Sequence, residues 1–149
     1  MQALIGFLIL LFSMTAYAEV KVVEPWARTT APGQKVAAVY LRMISTKDVS
    51  LVEMNSPLAD KVELHEMNMD NGIMKMRPVS KLQMEAAQAI ELKPGSYHLM
   101  LSGIKQAVKA GDSIPLTLIF EDKHNLRESI QITAIGRTPS SNLGIPHAH

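Results

Sequence analysis

His98 and Met100 stand one residue apart in ELKPGSYHLMLSGIK (residues 91–105), a stretch that alternates like a β-strand. Successive side chains of a strand point to opposite faces, so Tyr97, Leu99 and Leu101 share one face while His98 and Met100 share the other, their α-carbons about 6 to 7 Å apart. An imidazole and a thioether at that separation can converge on one ion. The same alternation in KVELHEMNM (residues 61–69) turns Val62 and Leu64 toward a core and His65, Met67 and Met69 away from it, and in IMKM (residues 73–76) it puts Met74 and Met76 together. Met67, Met69, Met74, Met76, Met84 and Met100 thus fall in one stretch of the chain, interleaved with His65 and His98.

Thioether is a soft ligand and imidazole a borderline one, and a site made of both without thiolate or carboxylate suits Cu(I) above other biological metals. Zinc would be expected to recruit cysteine or carboxylate. The sequence has no cysteine at all. That removes a thiolate nucleophile, a disulfide framework and a blue-copper centre, which needs a cysteine ligand. Methionine sulfur carries no proton to lose and forms no disulfide, so it can hold metal in an oxidising compartment. Spacing alone does not choose between Met74 and Met76. Met67 and Met69 read as cover over the site, and Met43, Met54 and Met84 as core or rim. Taken alone, His98 with Met100 reads equally as a methionine filling a gap beside an ordinary exposed histidine. Trp26 is expected to bury its apolar body as a core or edge anchor, and His124 to lie solvated in a turn.

The elements that must position these residues begin after a leader. Residues 1–18, MQALIGFLILLFSMTAYA, hold no charged side chain, run apolar from Ala3 to Phe12 and end in Ala16-Tyr17-Ala18, the small-x-small pattern of a signal-peptidase site. The apolar run is shorter than the ~20 residues of a membrane span. Cleavage before Glu19, export to the periplasm and no stable membrane insertion are therefore expected, with an uncleaved anchor as the alternative. The net charge is +1, and the lysines and arginines are scattered rather than gathered in a stripe that could track a phosphate backbone. Nucleic acid is not an expected partner.

Eight candidate strands follow: residues 20–24, 35–43, 49–54, 61–67, 72–76, 96–101, 114–121 and 129–135. Turn signals separate them, among them Pro32-Gly33, Asp70-Asn71-Gly72, Lys93-Pro94-Gly95 and Ala110-Gly111-Asp112. Many short strands at roughly regular spacing predict an all-β sandwich or Greek-key barrel, in a single domain over residues 19–135. MEAAQAIEL (residues 84–92) has helix-favouring composition but marginal length for a helix; strand plus turn is the preferred reading. Residues 136–149, GRTPSSNLGIPHAH, read as a flexible tail.

His65, ten intervening residues, Met76, twenty-one more, His98, one residue and Met100 reproduce the H-x10-M-x21-H-x-M signature of the periplasmic copper chaperones of the PCu(A)C type. The surroundings PWAR (25–28), PGQKVAAVYL (32–41), VELHEM (62–67), GIMKMRPV (72–79) and LKPGSYHLMLSGIK (92–105) also resemble that family. The resemblance implies a cupredoxin-like Greek-key β-sandwich that binds Cu(I) through His65, Met76, His98 and Met100 near the surface. It further implies delivery of the metal to the copper A centre of cytochrome c oxidase or to its assembly factors. No activated nucleophile is legible in the sequence, so a metal-transfer protein rather than an enzyme is expected, as a monomer. Family members often end in a longer His- and Met-rich tail; here only His147 and His149 remain, leaving a second copper site open. The competing readings are a small copper-dependent redox enzyme, which would need an open redox position and a substrate pocket, and a metal-free β-sandwich binding module.

Overall fold

The computed structural model describes residues 19–139, so the leader (1–18) and the tail from residue 140, with His147 and His149, lie outside the described residues. Ten strands form, and no helix among the described residues: β1 (Val20–Arg28), β2 (Val36–Ser45), β3 (Val49–Asn55), β4 (Lys61–Asp70), β5 (Ile73–Val79), β6 (Leu82–Met84), β7 (Ile90–Leu92), β8 (Tyr97–Ser102), β9 (Ser113–Asp122) and β10 (Arg127–Arg137). All eight expected strands are present. The helix-favouring stretch resolves into the end of β6, a turn in which Ala87 takes φ 62°, and β7. Its apolar residues are spaced for two short strands: Met84, which ends β6 after the buried Leu82, is buried, as is Leu92 of β7.

The strands follow the order β5-β4-β8-β2-β1-β10-β9-β3-β6, with β7 also paired to β2. β1 joins the two halves. It runs antiparallel to β2 and, through Trp26, Ala27 and Arg28, parallel to β10. An irregularity between Val23 and Trp26, where Glu24 adopts φ 48° beside Pro25, gives β1 the bend of a bulge.

The alternation read from the sequence decides what lies between the halves. Val62 and Leu64 of β4, Leu99 and Leu101 of β8 and Ala37, Val39, Leu41 and Met43 of β2 join Leu116, Leu118 and Phe120 of β9 and Val49 and Leu51 of β3 in one buried apolar cluster. Each fully buried Leu or Phe in it contributes about 1.5–3 kcal/mol relative to exposure. The result is an all-β sandwich held by its core, with no disulfide. Met43 and Met84 are fully buried and Met54 packs against the cluster, as core or rim residues should.

One boundary moves. Gly136 and Arg137, read from sequence as the start of the tail, continue β10: the Gly136 N–H donates to the Asp112 carbonyl (2.8 Å) and its carbonyl accepts from the Gly111 N–H (2.9 Å). A side chain at Gly136 would collide with the Lys109 carbonyl, so glycine here permits close packing rather than flexibility.

Candidate metal centre

The site lies on the outer face of the β5-β4-β8-β2 half, opposite the core. Its register starts at a turn. Asn71 (φ 50°) and Gly72 (φ 77°) are the two central residues of the β4–β5 hairpin, both left-handed, as a two-residue type I′ connection requires. That turn pairs Asp70 with Ile73, and the ladder then runs Met69 opposite Met74, Met67 opposite Met76 and His65 opposite Pro78. On the other side of β4, His65 lies opposite His98 and Glu63 opposite Met100.

Paired residues share a face. His65, His98, Met76 and Met100 are therefore on one face, with His65 at the middle: His98 is its direct neighbour, and Met76 and Met100 are diagonal neighbours at about 7–8 Å. Met74 lies one row farther from His65 than Met76 does, so the ladder separates two methionines that spacing left equivalent. Met67, opposite Met76, is half-buried, whereas Met69 and Met74 are exposed.

The ring centroids of His65 and His98 are 5.6 Å apart with an interplanar angle of 65°. Tyr40 of β2 follows at 6.3 Å from His98, and Trp26 of β1 at 4.7 Å from Tyr40. This row of rings across four strands explains a difference from the expected surface position: His98 is only 2% exposed, because Tyr40, itself buried, and His65 flank it. Met76, at 47%, is the exposed member of the set. The half-buried Trp26 anchors the end of the row, as expected of a lone tryptophan.

Burial holds the His98 imidazole below its ordinary value; a hydrogen bond with the Ser96 backbone opposes this, and His65 adds to it. His98 is thus neutral near pH 7, the form that ligates metal, and the Ser96 contact orients its ring in the way outer partners orient metal-binding histidines. His65 has both ring nitrogens buried and without a hydrogen-bond partner. The Glu63 Oε2 stands 3.6 Å from its Nε2, beyond hydrogen-bond reach. Glu63 is engaged by Lys61 at 2.7 Å, chiefly through a hydrogen bond that keeps its carboxyl below the usual range. Buried imidazole nitrogens left unpaired are costly; a metal ion would satisfy one of them. Among the described residues no group of three or more His, Cys, Asp or Glu is placed to hold a metal.

The Met67–Met76 pairing was legible in principle, because Asn71-Gly72 between two alternating runs fixes the hairpin register. Tyr40 carried no such signal, since only the β2–β8 pairing brings it beside His98. His124 lies exposed in a turn, away from this face.

Residues 20–132 match the family described as "Putative lipoprotein LpqE-like". The protein RP573 of Rickettsia prowazekii (strain Madrid E) is 32% identical over 137 residues, covering 88% of this chain and 75% of that protein. Among solved structures, the copper-bound PCuAC domain from PmoF2 superposes with a TM-score of 0.65 at 20% identity, covering 80% of this chain and 93% of the domain. The Cu(I) form of DR1885 from Deinococcus radiodurans gives 0.52 at 23% identity, covering 80% of each chain. At these identities the structural likenesses establish the fold: this chain has the β-sandwich of PCuAC domains.

Proposed function

The chain belongs to the LpqE-like family, and from that premise we propose that it is a Cu(I) carrier of the cell envelope, with the metal as cargo rather than resident cofactor. The observation that carries the reading is His65: two buried ring nitrogens that make no hydrogen bond, directly beside a neutral His98 and diagonal to Met76 and Met100. Together the four offer two imidazoles and two thioethers, a donor set matched to a soft monovalent ion. The PmoF2 domain of the same fold is copper-bound and DR1885 takes a Cu(I) form, which supports the same choice of ion here.

Handover suits the uneven burial. His65 and His98 hold the ion against the sheet, while Met76, on an exposed edge strand, is the donor an acceptor can reach first. The acceptor we propose is the copper A centre of cytochrome c oxidase or one of its assembly factors. The family's lipoprotein description supports an exported, envelope-associated chain; these 149 residues hold no cysteine to carry a lipid, so the form proposed is periplasmic, released by cleavage after Ala18.

The experiment is a competition titration of residues 19–149 with Cu(I) and a Cu(I)-specific chelator under reducing conditions, followed by transfer to an apo copper A domain. One tightly held Cu(I) per chain that passes to the apo domain supports the proposal. Absence of a tightly held equivalent removes the carrier reading, and tight binding without transfer removes the acceptor.

A further inference from the structure

Beyond the row of Met67 and Met76, the hairpin places Met69 directly opposite Met74. All four thioethers project from one face of β4–β5, because paired residues share a face and positions two apart return to it. The charges sit on the reverse face: Glu66 takes Arg77 at 2.9 Å and Asp70 takes Lys75. Packing does not account for the methionines. None of the four belongs to the apolar core cluster or packs against it, and Met69, Met74 and Met76 are 66%, 51% and 47% exposed. A hairpin that only needed solubility would carry polar residues on both faces. From Glu66 to Arg77 this hairpin keeps its ionic groups on one side and a ladder of soft donors on the other; the Lys61–Glu63 pair of the thioether face lies beyond His65, away from the tip.

We infer that Met67, Met69 and Met74 form a second, weaker site for a soft monovalent cation, Cu(I) or Ag(I), through which the ion enters and leaves the histidine pair. Met69 and Met74 are direct neighbours, while Met67 is two residues from Met69 and diagonal to Met74, so three flexible thioethers can meet over one point. The rows Met69–Met74, Met67–Met76 and His65 with His98 succeed one another at about 6.6–6.8 Å along the strand, with Met76 between the two sites. No imidazole takes part in the outer trio, and water competes for its exposed face. Binding there is expected to be weaker than at the inner site, as a relay requires. The role of the site in transfer rests on the carrier reading above; its existence does not.

The test uses residues 19–149 with 13C-methyl methionine, titrated with Cu(I) and separately with Ag(I), and followed by methyl NMR. The first equivalent is expected to move Met76 and Met100, and the second to move Met67, Met69 and Met74. Met69→Leu with Met74→Leu, at exposed positions where the swap conserves volume, should abolish the second step and slow metal release to a chelator roughly tenfold, while leaving the first affinity unchanged. Met100→Leu should weaken the first step and spare the second. Motionless Met69 and Met74 methyls at two equivalents would overturn the inference. Shifts at those methyls without any tight first equivalent would sustain the outer site and overturn the carrier reading instead.

Discussion

His65 and His98 face each other directly across the β4–β8 ladder, their rings 5.6 Å apart, and His65 is the one residue of the face adjacent to all three other candidate donors. The arrangement is fixed by backbone register rather than by side-chain freedom. A core strand, β8, contributes the buried pair member, and the β4–β5 hairpin contributes the exposed thioether. Rigidity on one side and access on the other are what a site that both holds and releases an ion requires.

Met100→Leu and Met76→Leu should each lower Cu(I) affinity by at least about tenfold, since each removes a direct donor and even outer-partner losses usually cost that much. Neither should unfold the sandwich, because the swap conserves volume and costs under ~1.5 kcal/mol. Met74→Leu should leave the tight equivalent unchanged. Chelator competition checks all three, alongside thermal melts.

Acid should destabilise the metal-free protein through His98. Burial keeps its folded pKa below the 6.5 of the unfolded chain, so its stabilising contribution is present above pH 6.5 and is lost as pH falls from there toward the native value. The half-buried Glu128 carboxyl, raised chiefly by burial and further by Glu19, works in the opposite sense. The readout is therefore a difference: between pH 7 and about 5.5, one unit below the unfolded histidine value, the melting temperature of His98→Gln should fall less than that of the unsubstituted protein.

Gly72→Ala should act on the site without breaking the core. An added Cβ would meet no atom within 4 Å, but φ at Gly72 is 77°, and the left-handed conformation costs a residue with a side chain about 1–2 kcal/mol. The hairpin tip holds no core residue, so hydrogen exchange should rise in residues 68–75 alone, and the outer methionines should lose cation binding before the inner pair does.

The sandwich was legible because its strands alternate. Val62-Glu63-Leu64-His65 states both the core face and the site face, and the structure keeps both. The short strands β6 and β7 were harder, since three-residue strands leave too few alternations to outweigh the helix propensity of Glu85-Ala86-Ala87. On the site face, spacing located the imidazoles and thioethers but not their depth. His98 is buried because Tyr40 lies beside it, and that contact depends on a β2–β8 pairing separated by many residues of chain. The end of β10 was hidden for a related reason: Gly136 and Arg137 read as loop residues, and it is long-range pairing with Ala27 and Arg28 of β1, with hydrogen bonds from Thr29 to Arg137 and between Gly136 and Gly111 and Asp112, that holds them in the strand.

Zinc should bind far more weakly than Cu(I). Among the described residues only two imidazoles lie on this face, Glu63 is held by Lys61, and thioethers offer little to a harder divalent ion. Competition between the two metals measures this, and Glu63→Gln should leave Cu(I) affinity unchanged.

The most direct measurement is X-ray absorption at the copper edge of the protein loaded with one equivalent of Cu(I). The expected result is a mixed shell of imidazole nitrogen and thioether sulfur, with the sulfur contribution reduced in Met76→Leu and again in Met100→Leu. A shell of nitrogen and oxygen alone, or a sulfur contribution untouched by both substitutions, would contradict it.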